Sequence, residues 1–492
     1  MIRRVLIANR GEIALRVIRA CRASGLDTVA VYSDADAEAP HVLAADQAVR
    51  LGPPPAAESY LDVGALVDAA RRTGADAVHP GYGFLSERAH FARAVEDAGL
   101  VFIGPSADAI SRLGSKTGAR RLMEAAGVPV VPGAAPEDQG DAALTAAATA
   151  LGCPLLVKPA SGGGGIGMKT VRSLEELATA LPQARREAQA AFGNPALYLE
   201  RLVDRPRHIE VQVFADAFGR TVHLFERECS AQRRHQKVVE ETPSPAVTPA
   251  VRARMGAAAV KAAETVGYRN AGTVEFLLEG DGDEARYYFL EINTRLQVEH
   301  PITECVVGVD LVRAQLAVAS GLPLPWRQED LTQRGHALEC RVYAEDPAQG
   351  FLPQAGPLLR YREPTGPGIR VDSGVVEGGA VSVYYDPMLA KLITWGETRS
   401  DSLARAREAL SRFEILGVRT NVAFLAAILR HPAFVEGRID TGFLGREIEA
   451  LTGASPLPPE MLAAAAWHAA RGAAGPGTGP VSRIPPQDPV FS

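Results

Sequence analysis

LEINTRLQVEHP, residues 290–301, alternates polar and apolar side chains over most of its length. Because side chains of a strand point alternately to its two faces, an extended chain would place every second residue on one face. That face would carry five polar groups, namely Glu291, Asn293, Arg295, Gln297 and Glu299. An ordinary half-solvated strand is the usual source of alternation, but Asn and Glu are poor strand residues, so the row favours a functional site.

The two-residue alternation extends outward across residues 196–300. HIEVQVF at 208–214, TVHLF at 221–225 and GTVEFLL at 272–278 each predict a strand, and one helix is predicted near 250–266. This mixture of strands with a helix indicates an α+β unit around the polar row.

Glu275 lies in the most apolar of these strands. A carboxylate among Val274, Phe276 and Leu278 is expected to be paired or to coordinate a metal, and the alternative is a position that faces solvent. Together with Glu291 and Asn293 it would form an all-oxygen site suited to Mg²⁺ or Mn²⁺.

A glycine run, SGGGGIGM at 161–168, follows a predicted strand that ends in Lys158. Backbone without side chains can fold over a phosphate chain, and a lysine beside it would bind the same phosphates. The run has neither the Walker A spacing nor the dinucleotide-binding fingerprint, so a flexible hairpin tip is the alternative.

RECSAQRRHQKVVEE at 227–241 gathers cations into what its composition predicts to be a loop. Arg233, Arg234, His235 and Lys237 could receive an anionic substrate or the charge that develops on a phosphate. A solvated charged loop is the alternative for this segment.

The flanking regions complete a multidomain organisation. Residues 1–114 open with strand, glycine turn, helix and strand, which predicts a βαβ-type α/β domain. Glycine and proline punctuate short strands before two helices in a third unit, 334–446. The rest, 447–492, is rich in Ala, Pro and Gly and is predicted to be a tail or linker.

The bulk composition excludes several classes of protein. A formal net charge of -6 without a basic tract argues against nucleic-acid binding. The amino terminus lacks a signal-peptide core and a membrane-spanning run, so no membrane association is expected. Five widely spaced cysteines without a CxxC pair fit a reducing compartment, and we expect a cytoplasmic protein.

From residue 1 to about 446 the chain resembles biotin carboxylase. The resemblance rests on LIANRGEIALRVIRA, VHPGYGFLSE, KPASGGGGIGM, ERECSAQRRHQKVVEE, EFLLE, LEINTRLQVEHPITE, ECRVYAEDP and YYDPMLAKLI. It implies an α/β protein with an ATP-grasp domain at 115–333, whose glycine-rich lid (about 131–203) is mobile. A Rossmann-like domain would precede it at 1–114, and a small α+β C-terminal domain would follow at 334–446.

The resemblance also assigns roles to individual residues. It implies nucleotide contacts at Lys116, Lys158, Gly164, Gly165, Glu200, Arg201, Leu202, Val203, His208, Gln232 and His235. It implies divalent-ion ligands at Glu275, Glu291 and Asn293, of which the two glutamates also belong to the nucleotide site. It implies a bicarbonate site at Lys237, Arg295, Gln297, Val298 and Glu299. Arg295 would orient the nucleophile, Glu299 would deprotonate bicarbonate and Arg341 would contact biotin.

The expected activity is ATP-dependent carboxylation of biotin through carboxyphosphate, with two Mg²⁺ or Mn²⁺ ions. No biotin-attachment motif follows, so biotin would arrive in trans on a carrier protein or domain. A carboxyltransferase subunit and a homodimer or larger complex are the other expected partners. An acetyl-CoA carboxylase of fatty acid synthesis is expected, and a propionyl-CoA or methylcrotonyl-CoA carboxylase α chain is the alternative.

Two further alternatives stay open, namely another ATP-grasp ligase and a non-catalytic assembly subunit. The chain departs from the family at Ile166, where Lys or Arg is usual in the glycine run. Loss of that cation predicts slower turnover or weaker ATP binding. Glu87 in VHPGYGFLSE is either a structural cap or a group that supports the site.

Overall fold

The computed structural model describes residues 2–160 and 167–453, together with residues 463 and 467. Gly164, Gly165 and Ile166 lie outside the described residues, and so does the side chain of Lys116. The chain divides into two compact units, Met1–Leu451 and Thr452–Ser492. The elements below lie in the first unit, apart from the last residue of the final helix, and most of the predicted tail falls outside the described residues.

The N-terminal region is built around a parallel sheet of five strands with the order β3-β2-β1-β4-β5. Its elements are β1 Arg4–Ile7, α1 Gly11–Ala23, β2 Asp27–Ser33, α2 Pro40–Ala44, β3 Gln47–Gly52, α3 Val63–Thr73, β4 Ala77–His79, α4 Ala89–Asp97, β5 Val101–Phe102 and α5 Ala107–Leu113. Gly11 begins α1 at a φ of +66°, which glycine adopts without strain. The strand-glycine-helix-strand opening predicted from the sequence is therefore present.

A small antiparallel sheet with the order β6-β9-β7-β8 follows. The elements of this part are α6 Lys116–Ala125, β6 Gly133–Ala134, α7 Asp141–Leu151, β7 Leu155–Pro159, β8 Lys169–Val171, α8 Leu177–Phe192 and β9 Leu197–Arg201. The adjacent strands β7 and β9 carry Lys158 and Glu200, whose side chains form an ion pair.

The remaining elements build the largest sheet and the C-terminal region. Those up to residue 343 are β10 Arg207–Ala215, β11 Thr221–Arg233, β12 Gln236–Thr242, α9 Pro249–Thr265, β13 Asn270–Glu279, β14 Arg286–Asn293, α10 His300–Val307, α11 Leu311–Ala319 and β15 His336–Tyr343. After them come β16 Glu345–Asp346, β17 Leu352–Pro353, β18 Gly356–Pro357, β19 Arg360–Arg362, β20 Ile369–Ser373, β21 Ala380–Val381, β22 Met388–Gly396, α12 Arg399–Ser411, β23 Glu414–Leu416, α13 Val422–Arg430, α14 Pro432–Val435, α15 Phe443–Arg446 and α16 Ile448–Thr452. Short 3₁₀ helices occupy Asp34–Asp36, Ala56–Glu58, Leu174–Glu176, Gln328–Asp330 and Pro347–Gln349.

The large sheet is antiparallel and has the order β14-β13-β10-β11-β12-β15-β22-β20. Alternate residues of β10 and β13, such as Val211 and Phe276, pack with α9 in an apolar cluster. The residues next to them, Glu210 and Glu275, point to the opposite face because strand side chains alternate. That second face carries the candidate site.

The predicted extension of the polar row as one strand is wrong beyond Asn293. Strand β14 ends there, because the backbone N–H of Thr294 donates to Glu87 Oε1 (3.2 Å) and not to the ladder. The chain then bends, and α10 begins at His300 with Pro301 in its first turn, where proline favours a helix start. Only two of the five polar residues therefore lie on a strand.

The predicted loop at 227–241 is also wrong, because the segment is a β-hairpin of β11 and β12. Arg234 and His235 have φ values of +48° and +68° and form its two-residue turn, a geometry that matches the twist of paired strands. The charged composition suggested a loop that faces solvent, whereas most of the side chains in both strands of this hairpin are buried.

Candidate active site

Three carboxylates from neighbouring strands form the base of the site. Glu210 lies directly opposite Glu275 across β10 and β13, and Glu275 lies directly opposite Glu291 across β13 and β14. Residues in these positions point to the same face of the sheet and are about 4.5–5.5 Å apart at Cβ. The arrangement concentrates negative charge in a region where water is largely excluded.

Lys237 neutralises this charge from the hairpin. Its Nζ lies 2.5 Å from Glu210 Oε2, 2.9 Å from Glu275 Oε1 and 2.6 Å from Glu299 Oε1. Burial lowers the pKa of Lys237, but the three carboxylates overcome that effect and raise it well above its usual value. The side chain is therefore a fixed cation next to Glu299.

Arg227 lies beneath Lys237 and has no exposed side-chain surface. Its Nε donates to Glu210 Oε1 (2.5 Å), and its Nη1 donates to Gln212 and Thr303, each at 2.9 Å. Such a buried guanidinium is stable only because its donors are used, and it fixes Glu210 for Lys237.

Glu299 stays ionised in this setting. Burial raises the pKa of its carboxyl, but Lys237 and Arg341 hold that pKa well below the usual value. Arg341 Nη2 is 3.0 Å from Glu299 Oε2, and Arg341 Nε is 2.6 Å from Glu240 Oε1. The structure thus places the ionised Glu299 carboxylate between two cations, Lys237 and Arg341.

Arg295 and Gln297 join the same site from the segment that follows β14. Arg295 Nη1 donates to Gln297 Oε1 (2.9 Å), and Gln297 Nε2 is 3.4 Å from Glu275 Oε1. Glu87 lies 3.2 Å from Arg295 Nε, so it supports the site and is not a remote cap. Val298 turns its carbonyl towards the buried Lys391, which donates to it at 2.8 Å.

A cavity of about 650 Å³ extends from this charge network. The apolar part of its wall includes Val131, Leu156, Met168, Leu277 and Phe289, which the sequence did not single out. Ten of the predicted nucleotide contacts line the cavity, namely Lys158, Glu200, Arg201, Leu202, Val203, His208, Gln232, His235, Glu275 and Glu291.

The donors in the cavity fit a hard divalent cation. Glu275 and Glu291 supply carboxylate oxygens from paired strands, and both face the cavity. Asn293 donates Nδ2 to Glu275 Oε1 (2.8 Å), and its amide oxygen is 3.3 Å from Arg295 Nη2. His208 Nε2 is 3.0 Å from Glu275 Oε2. Although burial lowers the pKa of His208, Glu275 raises it above the usual value.

Four residues that the sequence did not single out complete the network, namely Glu210, Arg227, Glu240 and Lys391. Each is buried, and each contacts a predicted site residue or the partner of one. Glu210 and Arg227 are directly opposite each other on the site face. Glu240, three residues after Lys237, reaches the same face because the β11–β12 pairing shifts register between Ala231 and Gln232, which alternation alone does not predict. Lys391 lies on β22, about a hundred residues beyond the polar row.

Comparison with known families matches three consecutive parts of the chain. Residues 1–110 match the biotin carboxylase N-terminal domain, residues 115–327 match the carbamoyl-phosphate synthase L chain ATP binding domain, and residues 339–446 match the biotin carboxylase C-terminal domain. Biotin carboxylase 1 of Bacillus subtilis is 50% identical over 444 residues, which cover 90% of this chain and 98% of that protein. The chain belongs to the biotin carboxylase family.

The chain is also similar to subunits and domains of other carboxylases. The mitochondrial methylcrotonoyl-CoA carboxylase subunit alpha of Oryza sativa is 53% identical over 446 residues, or 90% of this chain. The chain spans 60% of the length of that relative. The biotin carboxylase domain of the Hydrogenobacter thermophilus 2-oxoglutarate carboxylase was solved as a dimer with MgADP, ADP and bicarbonate. It matches with a TM-score of 0.86 and 43% identity, over 92% of this chain and 100% of that one.

These comparisons confirm the predicted fold of this biotin carboxylase family member, an ATP-grasp domain between an N-terminal and a C-terminal domain. The precise boundaries at 114, 333 and 446 stay predictions. The large sheet continues across residue 333, because β15, β22 and β20 extend the sheet formed by β10–β14. No helix in the described residues is long and apolar enough to span a membrane.

Proposed function

We propose that this chain carboxylates biotin with bicarbonate in an ATP-dependent, ADP-forming reaction. The observation that carries the proposal is the convergence of Lys237, Arg295, Glu299 and Arg341 in one charge network that reaches the cavity wall at Glu275. The cavity itself is lined by the residues expected to bind a nucleotide. A structural relative in complex with MgADP and bicarbonate supports the same pairing of ligands.

Bicarbonate would lie between the Lys237 ammonium and the Arg295 guanidinium, both of which are fixed by carboxylates. Gln297 and the backbone at Val298 would complete this anion site. Glu299 is ionised and accepts the bicarbonate proton, which makes the oxygen nucleophilic. Attack on the γ-phosphate of ATP gives carboxyphosphate and ADP.

ATP would occupy the cavity with its base against the apolar wall and its phosphates towards Lys158 and Lys116. Glu275, Glu291 and Asn293 would hold Mg²⁺ or Mn²⁺, one or two ions, which neutralise charge on the phosphate oxygens. The glycine run with Gly164 and Gly165 would cover the phosphates, and exclusion of water would protect carboxyphosphate.

Biotin would bind beside Arg341. Carboxyphosphate breaks down to CO₂ and phosphate, and that phosphate removes the N1′ proton of the ureido ring. Arg341 then stabilises the resulting enolate as it attacks CO₂. The bond between Arg341 and Glu299 keeps the two halves of the reaction next to each other.

ADP release with free biotin, Mg²⁺ and bicarbonate tests the proposal. We expect biotin-stimulated, bicarbonate-dependent release from the wild type and a loss of at least about a hundredfold in Arg295→Ala and in Glu299→Ala. Arg72→Ala and Glu408→Ala are matched controls, because both side chains form exposed pairs within a helix. Full activity in either site variant would defeat the site assignment.

The chain would act with separate partners for the rest of the reaction. Biotin would be supplied by a carrier protein or domain, and a carboxyltransferase subunit would transfer the carboxyl group. We propose a homodimer or a larger complex, because the solved domain of the Hydrogenobacter thermophilus relative is a dimer. A cytoplasmic location remains a prediction based on the cysteine pattern.

The acyl-CoA that the complex carboxylates has three candidates, namely acetyl-CoA, propionyl-CoA and methylcrotonoyl-CoA. The acetyl-CoA carboxylase of fatty acid synthesis is the first expectation from the sequence. A methylcrotonoyl-CoA carboxylase is favoured by the rice subunit, which is 53% identical to this chain. Assays of the purified complex with acetyl-CoA, propionyl-CoA and methylcrotonoyl-CoA distinguish them, because only the true acceptor should increase carboxylation.

A further inference from the structure

A second pair of carboxylates lies beside Arg341, outside the residues assigned above to substrates. Glu240 on β12 and Glu339 on β15 are directly opposite each other in an antiparallel register. Their side chains share one face of the sheet and are about 4.5–5.5 Å apart at Cβ. Neither residue has exposed surface.

The pair has more acceptor oxygens than donors. Glu240 Oε1 accepts from Arg341 Nε at 2.6 Å. Within the described residues, Glu240 Oε2 and both oxygens of Glu339 are buried without a hydrogen-bond partner. A buried carboxylate with no partner costs several kcal/mol if it is charged, so this arrangement is not stable with two ionised groups.

The surrounding cations are already paired with other groups. Arg341 lies between Glu240 and Glu299, and Lys237 serves three other carboxylates. Lys391, directly opposite Arg341 on β22, donates to the Val298 carbonyl and lies 3.2 Å from Glu12. Glu339 therefore has no cation of its own.

The other titratable groups close to the pair supply no cation for it, and burial raises the pKa of Tyr343 and of Cys305, so both stay neutral. His300 on α10 is neutral, because burial and the nearby cations lower its pKa well below the usual value. Cys229 and Cys340 are buried thiols, and burial raises the pKa of both. Asp372 on β20 adds a further negative charge near Lys391 and is held by Arg370.

We propose that Glu339 is held protonated, that its O–H donates to Glu240 Oε2, and that this pair positions Arg341 for biotin. A protonated carboxyl supplies the one donor that the three unpartnered oxygens lack. Glu240 then has both oxygens engaged and holds Arg341 Nε in a fixed orientation. Arg341 Nη2 also lies 2.6 Å from Glu240 Oε1 and 3.0 Å from Glu299 Oε2, so Glu240 and Glu339 act on biotin only through Arg341 and are positioning residues.

The titration of the pair agrees with this geometry. Burial raises the pKa of Glu339 well above its usual value, since the nearby Lys391 offsets only part of that effect. Burial also raises the pKa of Glu240 to about 7, against the opposing effect of Arg341. Loss of the shared proton at alkaline pH would leave two adjacent charges and pull Arg341 away from Glu299.

Two substitutions at Glu339 distinguish the effect of its hydrogen-bond donor from the effect of its side-chain volume. Glu339→Gln keeps an N–H donor for Glu240 but cannot ionise, whereas Glu339→Leu fills similar space without a donor. Glu241→Gln is the matched control, because Glu241 is the next residue on β12 and binds Arg399 and His336 on the other face. The unfolding temperature of each variant shows whether the fold is retained.

Infrared spectroscopy reads the proton directly. We expect a protonated-carboxyl band at neutral pH in the wild type and in Glu241→Gln, and its loss in Glu339→Gln and Glu339→Leu. Other buried carboxyls such as Glu345 also have a raised pKa, so the measurement is the difference spectrum between the wild type and Glu339→Gln. A difference spectrum without a protonated-carboxyl band would overturn the proposal. This measurement needs no substrate, so it stands even if the proposed function fails.

The biotin KM measures how well the Glu240–Glu339 pair positions Arg341. This measurement rests on the proposed function. At neutral pH we expect the biotin KM of Glu339→Gln to be within about twofold of the wild-type value. At alkaline pH we expect the biotin KM of the wild type to rise and that of Glu339→Gln to stay unchanged. Glu339→Leu should raise the biotin KM about tenfold, as expected when a hydrogen bond to a charged group is lost. An unchanged KM in folded Glu339→Leu would overturn the positioning role. A wild type without biotin-dependent ADP release would instead show that the proposed function is wrong.

Discussion

The two ends of the candidate site are organised in different ways. At the closed end, Arg227, Lys237, Glu299 and Arg341 are buried and hold one another through ionic bonds without any ligand. At the open end, the cavity is lined by side chains such as the partly exposed Lys158 and by apolar walls. The difference indicates that the closed end is preorganised by its own ion pairs, whereas the open end leaves charged side chains partly exposed.

The largest effect is expected at the closed end from Lys237→Met. It would leave three buried carboxylates without their cation and destabilise the protein by about 3–5 kcal/mol. ADP release should fall by at least about a hundredfold. Urea unfolding and the ADP assay measure the two effects. Lys169→Met is the control, because its exposed pair with Glu187 is worth less than about 1 kcal/mol. Equal stability of the two variants would contradict the comparison.

Acid should weaken the closed end through Glu299. Its pKa is well below that of an unfolded glutamate, so the ionised group stabilises the native state above about pH 4.3 and this contribution is lost as the pH falls further. We expect the wild type to lose about 1–2 kcal/mol more than Glu299→Gln between pH 7 and pH 3. Urea unfolding at a series of pH values measures this loss. If the free energy of unfolding depends on pH in the same way in both proteins, the ionised Glu299 does not stabilise the native state.

Lys158→Met should act at the open end with a different signature. We expect the ATP KM to rise about tenfold while the free energy of unfolding changes by less than about 1 kcal/mol, because the pair with Glu200 is partly exposed. Steady-state kinetics and urea unfolding test both parts. A large loss of stability would mean that the two ends do not differ as described.

The smallest effect is expected from Ile166→Arg, which restores the cation usual in the family. We expect single-turnover ATP cleavage to become faster, or ATP to bind more tightly, by about threefold, since one more charge would face the phosphates. Ile166→Gln controls for size without charge. Unchanged rates and affinity in Ile166→Arg would show that this position does not contact the phosphates.

The sequence predicted which residues lie close together better than it predicted the path of the chain. Alternation correctly placed Glu291 and Asn293 on one strand face, and the apolar context of Glu275 correctly predicted that it is paired. The bend at Thr294 was missed because it depends on Glu87, more than two hundred residues earlier in the chain. A contact of that kind leaves no local pattern in either segment.

The buried charges were missed for a related reason. Arg227 and Glu240 lie in a segment that reads as a charged loop, and only the register with β10 and β15 shows that they face the interior. Burial of a charge depends on which strands become neighbours, and local sequence does not encode that order. The family resemblance supplied the ligand roles, whereas the supporting residues required the structure.

The order of strands in the large sheet has a consequence for synthesis on the ribosome. Strand β12 ends at residue 242, but its neighbour β15 begins only at residue 336. At about 5–20 residues per second, the nascent chain spends roughly 5–20 s with the edge of β12 unpaired. Unpaired strand edges promote association between chains, so chaperone protection is most needed in that interval. The Arg341 that completes the site appears only when this interval ends.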